Sequence, residues 1–330
     1  MACQPILHGI LWNLNNSLFD NENFNYTASR ERWQSEFDAM EALHLKTILV
    51  FTGIPTALEQ TAAAAPDILE FMYEECDKRN MELIISCGTT PNWYHVMQMP
   101  DEANKIKGWV DEIFRRYAHH ASFAGWYIDY EFSVPEGKLG EMLFDLFRDT
   151  VQHCKEKTPG LPVVASPFFI PPTATNIMHP GHPDPQIYYH YWSKLIAYSK
   201  VDVIALQDTG AQHLSFFDTD ITAPYIEAVA QACKENNCRF WGNVETGEFH
   251  IESAEVFTEK FGTDGNVNRP VCTPFWRPVP ISRLQKKLEL MSRYSEKNLS
   301  WGYQAFYRPS LGGKALAAYN DYANYHQKFS

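Results

Sequence analysis

Two hydrophobic patterns alternate along the chain: short apolar runs, and longer stretches in which apolar residues return every three or four positions. Residues 6–12 form the first run and predict a strand. Trp33, Phe37, Met40 and Leu43 follow at helical spacing. Residues 47–51 predict the second strand, and Ile68, Met72 and Cys76 share one face of a helix opened by Pro66 and Asp67. The third strand is expected at 82–87, before a helix marked by Ile106, Trp109, Val110, Ile113 and Tyr117. The fourth is expected at 123–131, before Leu139, Leu143, Leu146 and Phe147. Residues 162–166 give the fifth, followed by a loop rich in proline and histidine and a helix with Tyr188, Trp192, Leu195 and Ile196. The sixth, 201–207, precedes Ile226, Val229 and Cys233. The seventh, 240–245, precedes a loop of roughly thirty residues, longer than a simple connection requires. A helix from near Ser282 carries Leu284, Leu288 and Met291; an eighth strand is expected at 300–306, and a last helix from about Gly313.

Eight strand–helix pairs in strict alternation predict an α/β chain folded as a single (β/α)8 TIM barrel spanning 1–330, with long loops after strands five and seven. A minimal barrel needs about 250 residues; the 330 present leave the surplus to loops. An open doubly wound sheet commonly opens with GxGxxG, and nucleotide-binding P-loops carry GxxxxGK[ST]; neither motif occurs.

Composition narrows the chemistry. The net charge of −12 opposes a nucleic-acid partner. No apolar run is long enough for a membrane-spanning helix. No signal-peptide pattern opens the chain, which predicts a cytoplasmic protein as the sequence stands; a processed start, with Cys3 as the relic of a lipid anchor, would make it secreted or anchored. The seven cysteines include Cys76, Cys87, Cys154 and Cys233 inside expected helices and strands, and no CxxC pair occurs, so they read as buried apolar side chains. Aromatics make up 14% of the chain, with nine Trp and seventeen Tyr. Most belong in a core, but a surplus near loops suits the flat apolar faces of sugars.

In such barrels the reacting groups stand at strand C-termini. On the fourth strand Tyr127, Asp129 and Glu131 share one face and Trp126, Ile128 and Tyr130 the other, so the acidic face is expected to point inward. Paired carboxylates there raise one another's pKa, as a general acid requires. On the seventh strand Trp241, Asn243 and Glu245 share a face, and Glu131 and Glu245 are expected to flank a scissile bond across the mouth, about 5–5.5 Å apart in a retaining enzyme. Glu248 lies further out and reads as a solvated acid. Trp12, Asn13, Trp93, Tyr127, Gln207, Asp208, Asn243, Trp276 and Tyr303 are the expected substrate contacts, with Gln304 and Tyr307 beside them; Arg269 and Arg277 accompany Trp276 in its loop. His179 and His182 stand among prolines without a metal-binding pattern, and His119 and His120 precede strand four, at the end of the barrel away from the chemistry. No cofactor and no metal are expected.

The stretch Ala124-Gly125-Trp126-Tyr127-Ile128-Asp129-Tyr130-Glu131 resembles the DGxDxDxE strand of chitinase-type glycoside hydrolases, with Ala124 and Tyr127 in place of the first two acids. That resemblance implies Glu131 as general acid and Asp129 as the group orienting a substrate acetamido nucleophile. Over nearly its whole length the chain resembles a domain-of-unknown-function family of TIM-barrel proteins held to be glycoside hydrolases, through Trp33-Gln34-Ser35-Glu36-Phe37, Gly125 to Glu131, and Trp241-Gly242-Asn243-Val244-Glu245. The retaining barrel glycosidases carry their acid/base and nucleophile as Glu at the ends of strands four and seven, where Glu131 and Glu245 stand; the Asn usual before the first is Tyr130 here. The expected activity is therefore retaining hydrolysis of an oligo- or polysaccharide by Glu131 and Glu245 with help from Asp129. The alternatives are substrate-assisted hydrolysis of N-acetylated sugars, a non-catalytic glycan-binding barrel, and a metal-dependent lyase or isomerase. Sugar, linkage and oligomeric state stay open.

Overall fold

The computed structural model describes residues 2–14, 28–61, 67–90, 99–135, 137–171, 184–209, 219–262 and 270–329. In chain order the barrel strands are β1 (Gly9–Asn13), β2 (Thr47–Phe51), β3 (Glu82–Ser86), β4 (Phe123–Ile128), β5 (Val163–Ala165), β6 (Val203–Gln207), β7 (Arg239–Asn243) and, after a two-stranded insertion, β10 (Asn298–Leu299). Each pairs in parallel with the next. Leu11 donates its backbone N–H to Ser300 and Ser300 donates to Gly9, which closes β10 onto β1. The protein is a (β/α)8 TIM barrel.

The outer layer consists of α1 (Arg30–Ala42), α2 (Ile54–Thr61), α3 (Ile68–Arg79), α4 (Met99–Tyr117), α5 (Lys138–Lys157), α6 (Pro185–Ser199), α7 (Thr219–Glu235), α8 (Ala254–Phe261), α9 (Ile281–Met291) and α10 (Gly313–His326). Their starts follow local chemistry. Asp67 caps α3 by accepting from the N–H groups of Leu69 and Glu70, and Asp184 caps α6 ahead of Pro185. The long connection after β7 is built rather than slack: β8 (Gly247–Phe249) pairs antiparallel with β9 (Trp276–Pro278) around α8. Phe249, Phe257, Phe261 and Phe275 fill the space beneath it.

The eighth strand differs from its expected extent. The ladder holds only Asn298 and Leu299, and Tyr303–Tyr307 form a π-helical turn. Gly302 turns the chain at φ 98°. A side chain there would crowd the backbone N of Gly247 at 3.0 Å, so glycine is required by both torsion and space.

Two apolar layers hold the barrel. Trp12, Ile48, Ile85, Trp126, Ile128, Ile204 and Leu206 pack outward against the helices. Leu11, Leu49, Ile84, Tyr127, Val164, Ala205, Trp241 and Leu299, one from each strand, fill the interior. Among the described residues no helix is long and apolar enough to cross a membrane.

Candidate active site

Two residues beyond each interior apolar position lies the next inward position toward the strand C-termini. It is occupied by Asn13, Phe51, Ser86, Asp129, Ser166, Gln207, Asn243 and Trp301. Six of these eight are polar, and a closed apolar barrel gives them no packing reason to be there. This ring is the floor of the candidate site.

A bulge on β4 sets which side chains enter it. Leu83 pairs with Phe123 but Ile84 pairs with Gly125, leaving Ala124 as the extra residue. Without the shift, Phe123 on the outer face would put Tyr127 outside as well. With it, Trp126 and Ile128 face the helices while Tyr127 and Asp129 turn inward. Gly125 makes the bulge feasible: its φ is +154°, and a Cβ would lie 2.6 Å from the Pro162 carbonyl oxygen.

Asp129 and Glu131 lie just past the end of β4, so the acidic stretch expected within the strand crowns it instead. Asp129 is buried. Its Oδ2 accepts from the backbone N–H of Thr52 at 2.8 Å and the Ser86 hydroxyl at 3.1 Å. Glu131 is half-buried, and its Oε1 accepts from the Tyr127 hydroxyl at 2.7 Å. Among the described residues neither acid is ion-paired. Burial, then the charge of Glu131, pushes Asp129 up to about 8; its two donors oppose the shift. Burial also raises Glu131, against hydrogen bonds from Tyr127 and Gln207. Burial thus favours the neutral form of both acids.

The neighbours are fixed in turn. Thr52 adopts φ 49°, a left-handed conformation rare for a β-branched residue. That conformation directs its N–H to Asp129 and its hydroxyl to the Asn13 side chain. Thr209, past the end of β6 on the other side of the mouth, has φ 59° and is also buried. Asn243 donates to the Ser166 hydroxyl at 3.0 Å and accepts from the Trp301 N–H at 2.8 Å, tying β5, β7 and the segment after β10 together. Gln207 donates to the Ser166 carbonyl at 2.8 Å. Trp301 is half-buried and packs edge-on to Trp276, with ring centres 6.3 Å apart.

Glu245 follows β7 on the inward register and is buried. Its backbone is clamped from both sides: Lys287 of α9 donates to its carbonyl at 2.6 Å, and its N–H points to Asp208 at 3.4 Å. Asp208 takes the alternate, outward register of β6 and is ion-paired with Lys287 at 3.1 Å. Asp208 thus braces the chain at Glu245 rather than lining the floor.

Three other expected contacts are held elsewhere. Trp12 is on the outer face of β1, 5.0 Å from the Trp33 ring. Tyr303, displaced from strand geometry by the π turn, is buried 6.4 Å from Trp12. Trp276 stacks on Phe306 at 5.9 Å and reaches the mouth only through Trp301. Gln304 accepts from the Asn13 N–H at 3.1 Å, and Tyr307 donates to the Val279 carbonyl. Glu248, read as solvated, is 1% exposed and sits between Arg277 at 2.7 Å and Arg283 at 3.3 Å. Trp93, His179, His182 and Arg269 lie outside the described residues. Sequence reasoning passed over Ser86, Ser166, Thr52 and Trp301. The first two had a signal, a polar residue two positions after an inward apolar one; Trp301 was hidden by the misplaced end of strand eight.

Solved structures share this architecture. A protein of Bacteroides thetaiotaomicron described as a candidate alpha-L-fucosidase superposes with TM-score 0.73 at 19% identity, over 99% of this chain and 95% of its own. A beta-galactosidase from the haloarchaeon Halorubrum lacusprofundi gives 0.60 at 12%, over 98% and 58%. An endo-beta-1,4-mannanase from Thermotoga petrophila gives 0.53 at 11%, over 97% and 77%. No curated protein matches the sequence. A family model does match, from residue 8 to residue 311, a span that takes in every barrel strand and all three candidate acids; the chain belongs to the domain of unknown function family DUF4434.

Proposed function

We propose that the protein is a glycoside hydrolase that retains anomeric configuration, with Glu131 as acid/base and Glu245 as nucleophile. The observation that carries this reading is the burial of Asp129 and half-burial of Glu131 at the mouth, with no ion pair to either among the described residues, which favours their protonated forms. A general acid must be protonated at the pH where it works, and an ordinary carboxyl is not. Glycosidase neighbours on the same barrel make sugar the natural substrate class, an argument from analogy.

In the first step Glu131 gives its proton to the glycosidic oxygen while Glu245 attacks the anomeric carbon. The bond to the leaving sugar breaks and a glycosyl ester forms. In the second, the Glu131 carboxylate takes a proton from water, the hydroxide oxygen attacks the same carbon, and Glu245 leaves as carboxylate. Burial favours the protonated form of Glu131, Tyr127 orients it, and Trp301 offers a ring for a sugar face.

The Asp129–Glu131 coupling also favours a second reading, in which Asp129 orients a substrate acetamido group and Glu245 is a bystander. Activated 2-deoxy-2-fluoro glycosides followed by peptide mass spectrometry separate the two. A glycosyl adduct on Glu245 is expected. Turnover of N-acetylated aryl glycosides by Glu245→Gln at wild-type rate, with no adduct, would transfer the assignment to Asp129.

A further inference from the structure

At the far end of β4 from Asp129 and Glu131, three ligand-type side chains converge with no part in the chemistry above. Glu70, Tyr73 and Asp77 occupy one face of α3, and His119 and His120 lie in the turn leading from α4 into β4. Glu70 Oε1 is 3.3 Å from His120 Nε2 and 3.9 Å from His119 Nε2, and all three atoms lie within 4.8 Å of one another. Tetrahedral zinc with bonds near 2.1 Å sets its donors about 3.4 Å apart. The first distance already matches, and the second closes with a small rotation of an exposed ring.

The surroundings prepare His120 in particular. Its Nδ1 is 2.7 Å from Asp77 Oδ2, and the other oxygen of Asp77 accepts from the Ser122 N–H at 2.7 Å. A carboxylate on Nδ1 holds the proton there and leaves Nε2 as a lone pair, the arrangement that orients metal-binding imidazoles. The ring stacks on Tyr73 at 5.1 Å and 11°. His120 is 7% exposed, and its Nε2 faces Glu70 Oε1 at 3.3 Å. A lone pair facing a carboxylate oxygen needs a cation or a proton between them. His119 is 64% exposed, so water can complete the coordination.

We propose that Glu70, His119 and His120 bind a divalent transition metal of the zinc class, with Asp77 as the outer carboxylate on His120. Such an ion would clamp the start of α3 to the entry of β4 and stabilise the wall without touching the reaction at the other end.

The test uses the full chain, stripped with chelator and titrated with Zn2+ against a chromophoric competitor, with melting followed in parallel. One equivalent is expected to bind and raise the melting temperature. His119→Gln and Glu70→Gln, both at partly exposed side chains, are expected to weaken binding by about tenfold or more and remove the thermal shift. Cobalt(II) should show a visible spectrum without a thiolate charge-transfer band, separating this site from the cysteines. No binding, or binding that both variants leave intact, would overturn the proposal and leave Glu70 and His120 as an ion pair.

Discussion

Two buried acids follow barrel strands and are treated in opposite ways. Glu248, three residues after Glu245, is enclosed between Arg277 and Arg283. Asp129 is nearly as buried but receives only a backbone N–H and a hydroxyl, with a second acid beside it. Charge taken out of water must be neutralised by a partner or a proton. The fold gives Glu248 partners, so it anchors the β8–β9 insertion. It gives Asp129 and Glu131 no ion pair among the described residues, so burial favours their protonated forms. Burial alone would not tell a structural acid from a reactive one; the identity of the neutralising group does.

The comparison can be broken most sharply at Glu131. Glu131→Gln is expected to lower kcat/KM on an unactivated glycoside by about a thousandfold, the range for loss of a general acid, with little change in melting temperature. Loss of fold rather than of turnover would class Glu131 with Glu248. Glu248→Gln should do the reverse, costing about 2 kcal/mol of stability in denaturant titration; this is below the usual figure for a broken buried pair because both arginines reach water. A turnover defect larger than the stability defect would contradict that.

The enclosure of Glu248 could not be read from its immediate sequence, because Arg277 and Arg283 come from distant positions. The alternation Tyr127–Asp129–Glu131 gave the right face, although the bulge that makes it so is visible only as Gly125. Strand two is the five residues its apolar run indicates, because a run flanked by polar residues has one register. Strand eight was placed at 300–306, past the ladder at 298–299, because Tyr303, Phe306 and Tyr307 continue an apolar pattern that a π turn satisfies equally well. The outward turn of Asp208 depends on Lys287, seventy-nine positions away and unmarked by any local pattern.

A smaller effect follows from pH. The carboxyl of Asp129 moves from an ordinary 3.8 to about 8 in the fold, so the native state binds the proton more tightly than the unfolded chain. Its contribution to stability is fullest below about pH 4 and is lost as pH rises toward 8. Asp129→Asn removes that dependence. Its melting temperature should gain on wild type between pH 5 and pH 9, and parallel curves would mean that Asp129 is ionised throughout. The mildest change is Tyr127→Phe. Its hydroxyl holds Glu131 down, so its loss should move the basic limb of the kcat/KM profile up. A shift downward would give the tyrosine another role.

The most direct measurement is sugar release from a panel of aryl glycosides and oligosaccharides by wild type, Glu131→Gln and Glu245→Gln in parallel. The account predicts release by wild type that both variants lose while remaining folded. Glycan binding without release from any member of the panel would contradict it and make the barrel a binding protein.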